Sequence, residues 1–140
     1  MKKSDAIFLD SNVYINVLRS PEYEKKVERF LVSAYLYTLN KIVLMELWAG
    51  VRTPLEGQIL KQHQKMCPRI GMQDDQFIHA GQLMMKMREK HRFEPKERRR
   101  MTWDLLIALS AMENRAIVIT ENKKDFERIQ NWVDFEFVSV

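Results

Sequence analysis

The chain is poor in the residues that several common kinds of site require. Its 140 residues include one cysteine, Cys67, which excludes an internal disulfide. The three histidines, His63, His79 and His91, have no zinc-ligand spacing with that cysteine. The four glycines are scattered and form no phosphate-binding loop, and no apolar run approaches the roughly 20 residues that span a bilayer. A disulfide scaffold, a zinc centre and a glycine-rich nucleotide site are therefore excluded.

Length and composition are those of an ordinary globular protein. A chain of 140 residues is near the commonest size of a single domain, and 46% hydrophobic with 30% charged residues is a typical composition. The first ten residues, "MKKSDAIFLD", hold too short an apolar run for the core of a secretory signal. We therefore expect one domain over residues 1–140, located in the cytoplasm and without a membrane partner.

Positive charge is concentrated in one segment. The net charge is +4, whereas residues 86–100 hold eight lysines and arginines against three glutamates, which is +5 for that segment alone. Such a segment suits a polyanion such as nucleic acid, because its cations release counterions condensed on phosphates. A solvated helix end followed by a loop would carry the same charges. Charge alone leaves both interpretations open.

Apolar periodicity predicts short strands that alternate with helices. Strands are predicted at residues 6–9, 35–39, 116–119 and 135–140. Helices are predicted at residues 13–18, 21–34, 41–49, from residue 54 after a Thr53 cap, from about residue 74, and at about 102–114. Strands separated by helices favour an α/β fold of three layers, with a short, mostly parallel central sheet and helices on both faces.

The long helix that begins near residue 74 is rich in methionine. Phe77, Ala80, Met84 and Met87 recur at helical spacing and are expected to face the core. Because Met85 lies between two of these residues, some methionines must point elsewhere. Exposed, flexible thioethers suit a protein interface, although packing in the core is the commoner use of methionine.

Acids and amides lie where the predicted strands end and in the helices beside them. In open α/β sheets the ligand crevice lies beyond the carboxyl ends of the strands. Four separate segments bring to this edge Asp10, Glu46, Asp104, Thr120, Asn122 and Asp125. Clustered carboxylates repel one another unless a cation is bound, and a donor set made only of oxygen favours Mg²⁺ or Mn²⁺ over zinc. The pattern therefore predicts a site for one of these cations.

Each acid also has an explanation that needs no ligand. Asp10 as a helix N-cap, and Asp104 in the first turn of the helix predicted from residue 102, would each contribute about 1 kcal/mol to stability. Glu46 would then lie on a solvated stripe of its helix, and Asp125 on the surface. Taken one by one, the residues do not decide between the two interpretations, whereas their combination favours the cation site.

Three sequence blocks stand out by their order and spacing. The first is "LDSN" at residues 9–12, and the second is "ELWAG" at 46–50. The third begins with "DLLIALSA" at 104–111, followed by an apolar strand, "TEN" at 120–122 and "DF" at 125–126. Together these blocks resemble the PIN domain family, and most closely the VapC-type ribonuclease toxins of toxin-antitoxin pairs.

The resemblance implies an activity and a set of residues for it. The activity is Mg²⁺- or Mn²⁺-dependent endoribonuclease, acting as the toxin of a type II pair and leaving a 5′-phosphate and a 3′-hydroxyl. The catalytic set would be Asp10, Glu46, Asp104, Asn122 and Asp125, of which the first three would hold the metal. Asn12 and Thr120 would orient these ligands through hydrogen bonds.

The resemblance also implies partners. Besides the RNA substrate, these would be a cognate antitoxin protein and a second copy of the chain in a homodimer. Within the basic segment, the charge pattern and not the resemblance points to the basic triplet Arg98, Arg99 and Arg100 as the residues that would bind the RNA. The preference for RNA over DNA rests on the resemblance alone, so a DNA nuclease of the same fold stays open as an alternative.

Two residues depart from the family pattern. Many PIN domains have aspartate where this chain has Asn122, whose amide can coordinate a metal but adds no negative charge. This leaves open a catalytically weak or silent PIN-fold module that binds RNA or protein without cutting. Arg115 stands where the family often has glycine, so it must adopt that turn at some cost unless the turn differs.

Overall fold

The computed structural model describes residues 6–31 and 36–140. The elements run in the order β1 (Ala6–Leu9), α1 (Ser11–Arg19), α2 (Pro21–Leu31), β2 (Leu36–Tyr37), β3 (Leu39–Asn40), α3 (Lys41–Ala49), α4 (Pro54–Met66), β4 (Arg69–Ile70), α5 (Asp74–Lys90), α6 (Pro95–Glu113), β5 (Ala116–Thr120), α7 (Lys123–Gln130) and β6 (Glu136–Ser139). Within these residues, no helix is both long enough and apolar enough to cross a membrane.

The central sheet has four parallel strands in the order β2-β1-β5-β6. β1 and β5 occupy its middle, in a register that places Phe8 opposite Val118, and both of these side chains are fully buried. Both strands are almost continuous apolar runs, as expected where helices cover a parallel sheet on its two faces. The predicted α/β fold of three layers is confirmed. β3 and β4 form a second, two-stranded parallel sheet beside it.

The strand predicted at residues 35–39 differs from the observed structure. Two strands of two residues each, β2 and β3, stand there, and Thr38 separates them. The Thr38 hydroxyl and backbone amide both donate to the Ile7 carbonyl, whereas the Leu39 amide donates to the Pro68 carbonyl, so the chain leaves the central sheet after Thr38. Tyr35, the first residue of the predicted strand, lies outside the described residues, as does Ala34 of the preceding helix.

The helix that contains Asp104 begins about two turns earlier than predicted. It starts with Pro95 at its first position, and the basic run is its first part rather than a loop. Met101 is fully buried, so the apolar face already begins within this charged segment. Asp104 consequently lies in the third turn, beyond the reach of the helix N-terminal dipole. The explanation of Asp104 as a first-turn charge is therefore wrong.

The buried face of α5 is shorter than predicted. Ala80, Leu83 and Met87 are buried, whereas Phe77 is 51% exposed. The expectation that Phe77 faces the core is wrong, since most of the residues around it in the first turns of α5 are also exposed and burial begins only at Ala80. Met85 is exposed, in agreement with the prediction that some methionines of this helix point away from the core.

Arg115 connects α6 to β5 with a backbone φ of 53°, which lies in the left-handed region. Any residue with a Cβ is strained there by about 1–2 kcal/mol, so the expected cost at this position is present. We predict that Arg115→Gly is more stable than Arg115→Ala by about 1 kcal/mol, the reverse of the usual order of these residues. Both variants lack the arginine side chain, so comparing their urea unfolding isolates the backbone term. An alanine variant of equal or greater stability would contradict the strain.

Candidate active site

One cleft opens beyond the carboxyl ends of β1 and β5. Its volume is about 470 Å³, and residues of α1, α3, α6 and α7 form its walls. The residues of the predicted catalytic set all line it, namely Asp10, Glu46, Asp104, Asn122 and Asp125. The fold therefore brings together side chains that four separate segments of the chain contribute.

Asp10 follows β1 directly and is held through both of its carboxylate oxygens. Oδ1 accepts from the Ser11 backbone amide at 2.8 Å, which makes Asp10 the N-cap of α1. Oδ2 accepts from the Thr120 hydroxyl at 2.8 Å, across the pairing of β1 with β5. Burial raises the pKa of Asp10, and these two hydrogen bonds lower it in part. The capping explanation of Asp10 is thus correct, but it accounts for only one of the two oxygens.

Asn122 bridges two other acids. Its side-chain Nδ2 donates to Asp104 Oδ2 at 3.0 Å and to Asp125 Oδ2 at 3.1 Å. Its backbone amide donates to the Thr120 hydroxyl at 3.0 Å, which links this bridge to Asp10. A single amide therefore sets the spacing of two carboxylates without adding charge of its own.

Asp125 is a buried residue, and its assignment to the surface is wrong. It is 4% exposed, since the first turn of α7 packs against α6. Arg100 Nε donates to Asp125 Oδ2 at 2.8 Å, while the Arg100 side chain is itself 56% exposed. The arginine thus partly neutralises an acid at the edge of the cluster and remains accessible from the cleft.

Glu46 lies within α3, and its carboxylate is poorly supplied with hydrogen-bond donors. Its Oε2 accepts a long hydrogen bond of 3.5 Å from the Ser11 hydroxyl. Its Oε1 is buried and has no hydrogen-bond partner among the described residues. Burial, and then the charge of Asp10, raises the pKa of Glu46 to about 7. A buried oxygen without a partner costs about 1–3 kcal/mol, so this position favours a ligand that can satisfy it.

The pKa of Asp104 is raised more than that of Glu46. Burial, followed by the charges of Asp10, Asp125 and Glu46, raises the pKa of Asp104 to about 8, against a smaller lowering by Arg100. Without a cation, Asp104 and Glu46 therefore resist simultaneous ionisation with Asp10 at neutral pH. A bound cation would favour their ionised forms.

The donor chemistry of the cleft fits Mg²⁺ or Mn²⁺, because carboxylate and amide oxygens are the ligands that these ions prefer. In the parts of the chain that are described, no group of three or more His, Cys, Asp and Glu side chains is arranged to hold a metal ion as it stands. Metal binding would therefore require side chains of the cluster to turn toward a common point. The partnerless oxygen of Glu46 is the group with least to lose by such a movement.

The other predicted residues are divided between the cleft and the surface. Thr120 is buried and donates to Asp10, the position expected of a residue that orients a ligand. Asn12 lies at the rim with an exposed side chain and has no hydrogen bond to an acid of the described chain. Of the basic triplet, Arg100 lines the cleft, whereas Arg98 and Arg99 are exposed and outside it.

Two cations of the cleft were not predicted. Lys124 and Arg128 line it from α7, a helix that the sequence pattern did not indicate. The segment "KKDFERIQ" does contain a helical pattern, because its apolar residues Phe126 and Ile129 are three positions apart. Both of these side chains are fully buried. Lys124 and Arg128 are four residues apart, so they share one face of that helix.

Comparison with known proteins gives a family model and several solved structures. The model described as "PIN domain" matches residues 7–131. The chain is similar to a chain of the VapBC2 structure from Rickettsia felis, with 21% identity, a TM-score of 0.71, and 96% of this chain and 98% of that one covered. For VapBC-1 from nontypeable Haemophilus influenzae the identity is 19%, the TM-score 0.70, and the coverage 96% and 97%. No curated protein matches the chain in sequence.

Proposed function

Because the chain belongs to the PIN domain family, we propose that it is a Mg²⁺- or Mn²⁺-dependent endoribonuclease and the toxin component of a type II toxin-antitoxin pair. The observation that carries this proposal is the meeting of Asp10, Glu46 and Asp104 in one open cleft, where the charge of Asp10 raises the pKa of both other acids. A structural role alone would not explain why three acids share a cavity wide enough for a substrate.

In the proposed nuclease, Asp10, Glu46 and Asp104 would hold the Mg²⁺ or Mn²⁺ ion. When bound, Mg²⁺ or Mn²⁺ supplies Lewis acidity for the attack of water on a phosphodiester and offsets charge on the leaving oxygen. The Ser11 amide and the Thr120 hydroxyl keep Asp10 in one orientation. These fixed positions reduce the reorganisation needed when substrate arrives.

Asn122 and Asp125 complete the proposed site. Asn122 keeps Asp104 and Asp125 at a fixed spacing and leaves each of them a second oxygen that it does not engage. Arg100 compensates part of the charge of Asp125, which leaves Asp10, Glu46 and Asp104 as the acids that most need a cation. We assign Asn12, at the rim, a role in contacting substrate rather than in orienting a metal ligand.

The partners follow from the structural neighbours and from the surface. The similar structures from Rickettsia felis and Haemophilus influenzae are named VapBC2 and VapBC-1, and by analogy we propose an antitoxin partner for this chain. The homodimer is proposed from the family resemblance alone. Exposed apolar side chains, among them Leu55, Ile78 and Met85, provide surface that protein partners would cover.

A silent PIN-fold module is the second candidate. The observation that favours it is that the acids are not gathered around a common point in the described chain. The two candidates differ in one measurement, the cleavage of 5′-labelled single-stranded RNA by the purified protein with Mg²⁺ or Mn²⁺. A nuclease would cut in either metal and stop on addition of EDTA; the labelled product would end in a 3′-hydroxyl, and the downstream product would carry a new 5′-phosphate.

The same assay with DNA of matched sequence tests the third possibility, a DNA nuclease of this fold. Absence of cleavage of RNA and DNA at stoichiometric protein, with metal binding shown separately, would replace the nuclease by the silent module. Preparations of a catalytically dead variant, purified in parallel, exclude contaminating nuclease.

Metal binding is expected to stabilise the fold. Mg²⁺ or Mn²⁺ relieves the repulsion among the acids only in the folded protein, so the free energy of unfolding should rise by about 2.7 kcal/mol when free metal is one hundred times its dissociation constant. Thermal unfolding across a millimolar titration measures this, with NaCl at matched ionic strength as the control. An unchanged melting temperature would count against the metal site.

A further inference from the structure

The positively charged side chains that line the cleft lie on one side of it. The cations that line it are Arg100 of α6 and Lys124 and Arg128 of α7. Among the described residues, those that α1 and α3 contribute to the cleft include no lysine or arginine. The cations also lie close to one another, since α6 and α7 pack together. Any anion that approaches the acids is therefore attracted along the side formed by α6 and α7.

The three cations differ in how far their charge is already neutralised. Arg100 is engaged by buried Asp125 at 2.8 Å. Arg128 Nη1 lies 3.8 Å from Glu97 Oε1, a long and partly exposed pair of the kind that contributes little. Lys124 is exposed and has no ion-pair partner within the described parts of the chain. Lys124 and Arg128 are thus the two cations of the cleft whose charge remains available to a ligand.

We propose that Lys124 and Arg128 bind backbone phosphates of single-stranded RNA beside the bond to be cleaved, so that the strand enters the cleft across α7. This inference rests on the proposed nuclease function, because it concerns the same cleft. The acids alone would repel a polynucleotide, and the phosphates that flank the cleaved bond need cations within reach. The Arg128 guanidinium also lies 5.9 Å from the centre of the Phe93 ring, a cation–π contact that favours one position of the side chain.

The chain supplies a matched control. Lys61 and Lys65 are exposed on α4, are four residues apart as Lys124 and Arg128 are, and do not line the cleft. Replacing both with glutamine removes the same two charges as replacing Lys124 and Arg128. A difference between the two double variants therefore reports position and not net charge.

The test is the salt dependence of RNA binding, measured by fluorescence anisotropy with a labelled single-stranded RNA of 12 nucleotides in EDTA, which prevents cleavage. The double variant Lys124→Gln, Arg128→Gln should reduce the slope of log affinity against log salt by about 1.4, which is 0.7 for each phosphate that the protein no longer neutralises. The same change in slope corresponds to a roughly 25-fold weaker affinity at 0.1 M salt. The variant Lys61→Gln, Lys65→Gln should keep the slope of the parent protein.

Lys124→Gln alone guards against misfolding, because Lys124 has no ion-pair partner among the described residues, and it should reduce the slope by about 0.7. An unchanged slope in the double variant, an equal reduction in the control pair, or no RNA binding by the parent protein would each overturn the proposal. If the parent cuts RNA while the double variant binds unchanged, the phosphate site fails and the nuclease stands. If the variant loses binding but the parent never cuts, the nuclease fails and the phosphate site stands.

Discussion

Asp104→Asn is expected to reduce Mg²⁺- or Mn²⁺-dependent cleavage of single-stranded RNA by about 10²–10³-fold, the range seen when one preorganised electrostatic group is removed. Asparagine has nearly the same volume and can still accept the hydrogen bond that Asn122 donates to this position at 3.0 Å. The substitution therefore removes one charge from the metal site and little else. Initial rates at saturating metal, with the melting temperature of each protein, separate loss of chemistry from loss of fold.

A matched change of another acid serves as the control. Glu127 lies on α7, is exposed, and pairs with Lys123 at 3.7 Å on the surface. Glu127→Gln also replaces a carboxylate with an amide, but outside the cleft, and it should keep the rate of the parent protein. If Asp104→Asn cut RNA as fast as Glu127→Gln, the assignment of Asp104 to the metal site would be wrong.

The second large effect concerns the metal-free protein, whose free energy of unfolding should fall by about 2 kcal/mol or more between pH 5 and pH 8. The pKa of Asp104 rises from an ordinary 3.8 to about 8 in the fold, and that of Glu46 rises from 4.5 to about 7. In this range the folded chain binds protons that the unfolded chain has already released. Their stabilising contribution is full below about pH 4 and is lost as pH rises through 7 to 8.

Overall charge predicts the opposite trend. The chain carries +4 at pH 7, so raising the pH reduces its net positive charge and its self-repulsion. A fall in stability toward pH 8 therefore points to the buried acids. Urea unfolding in EDTA at several pH values measures it, and Asp104→Asn should flatten the curve and be more stable than the parent at pH 8. A parent curve that is flat or rises would show that these carboxyls titrate normally.

The sequence predicted the acids of the cleft better than it predicted their surroundings. Asp10 and Glu46 could be found because a polar residue after a buried strand, or within an apolar run, violates the local pattern. Asp104 was found for the same reason, although its helix was given the wrong start. Residues 95–100 are so highly charged that the pattern gave no reason to extend the helix over them. Met101, the first apolar residue after them, is shown to be core only by its burial in the structure.

The bridge made by Asn122 could not have been predicted from the sequence. It depends on how α7 packs against α6, a contact between segments that are not adjacent in the chain. The same packing buries Asp125 and brings Lys124 and Arg128 to the cleft. Local periodicity carries no information on which helices meet, so Lys124 and Arg128 were missed, whereas Asn122 and Asp125 were found only through the resemblance and their place after a strand.

The hydrogen bond between Asp10 and Thr120 joins residues that are 110 positions apart. During synthesis from the N-terminus, Asp10 and Glu46 emerge long before β5 exists, and the closure of so large a loop is a late and slow step in folding. The nascent chain therefore has no assembled cleft until β5 and α7 have been made and have folded against the earlier segments. Whatever the cleft binds, it cannot bind it before that point in synthesis.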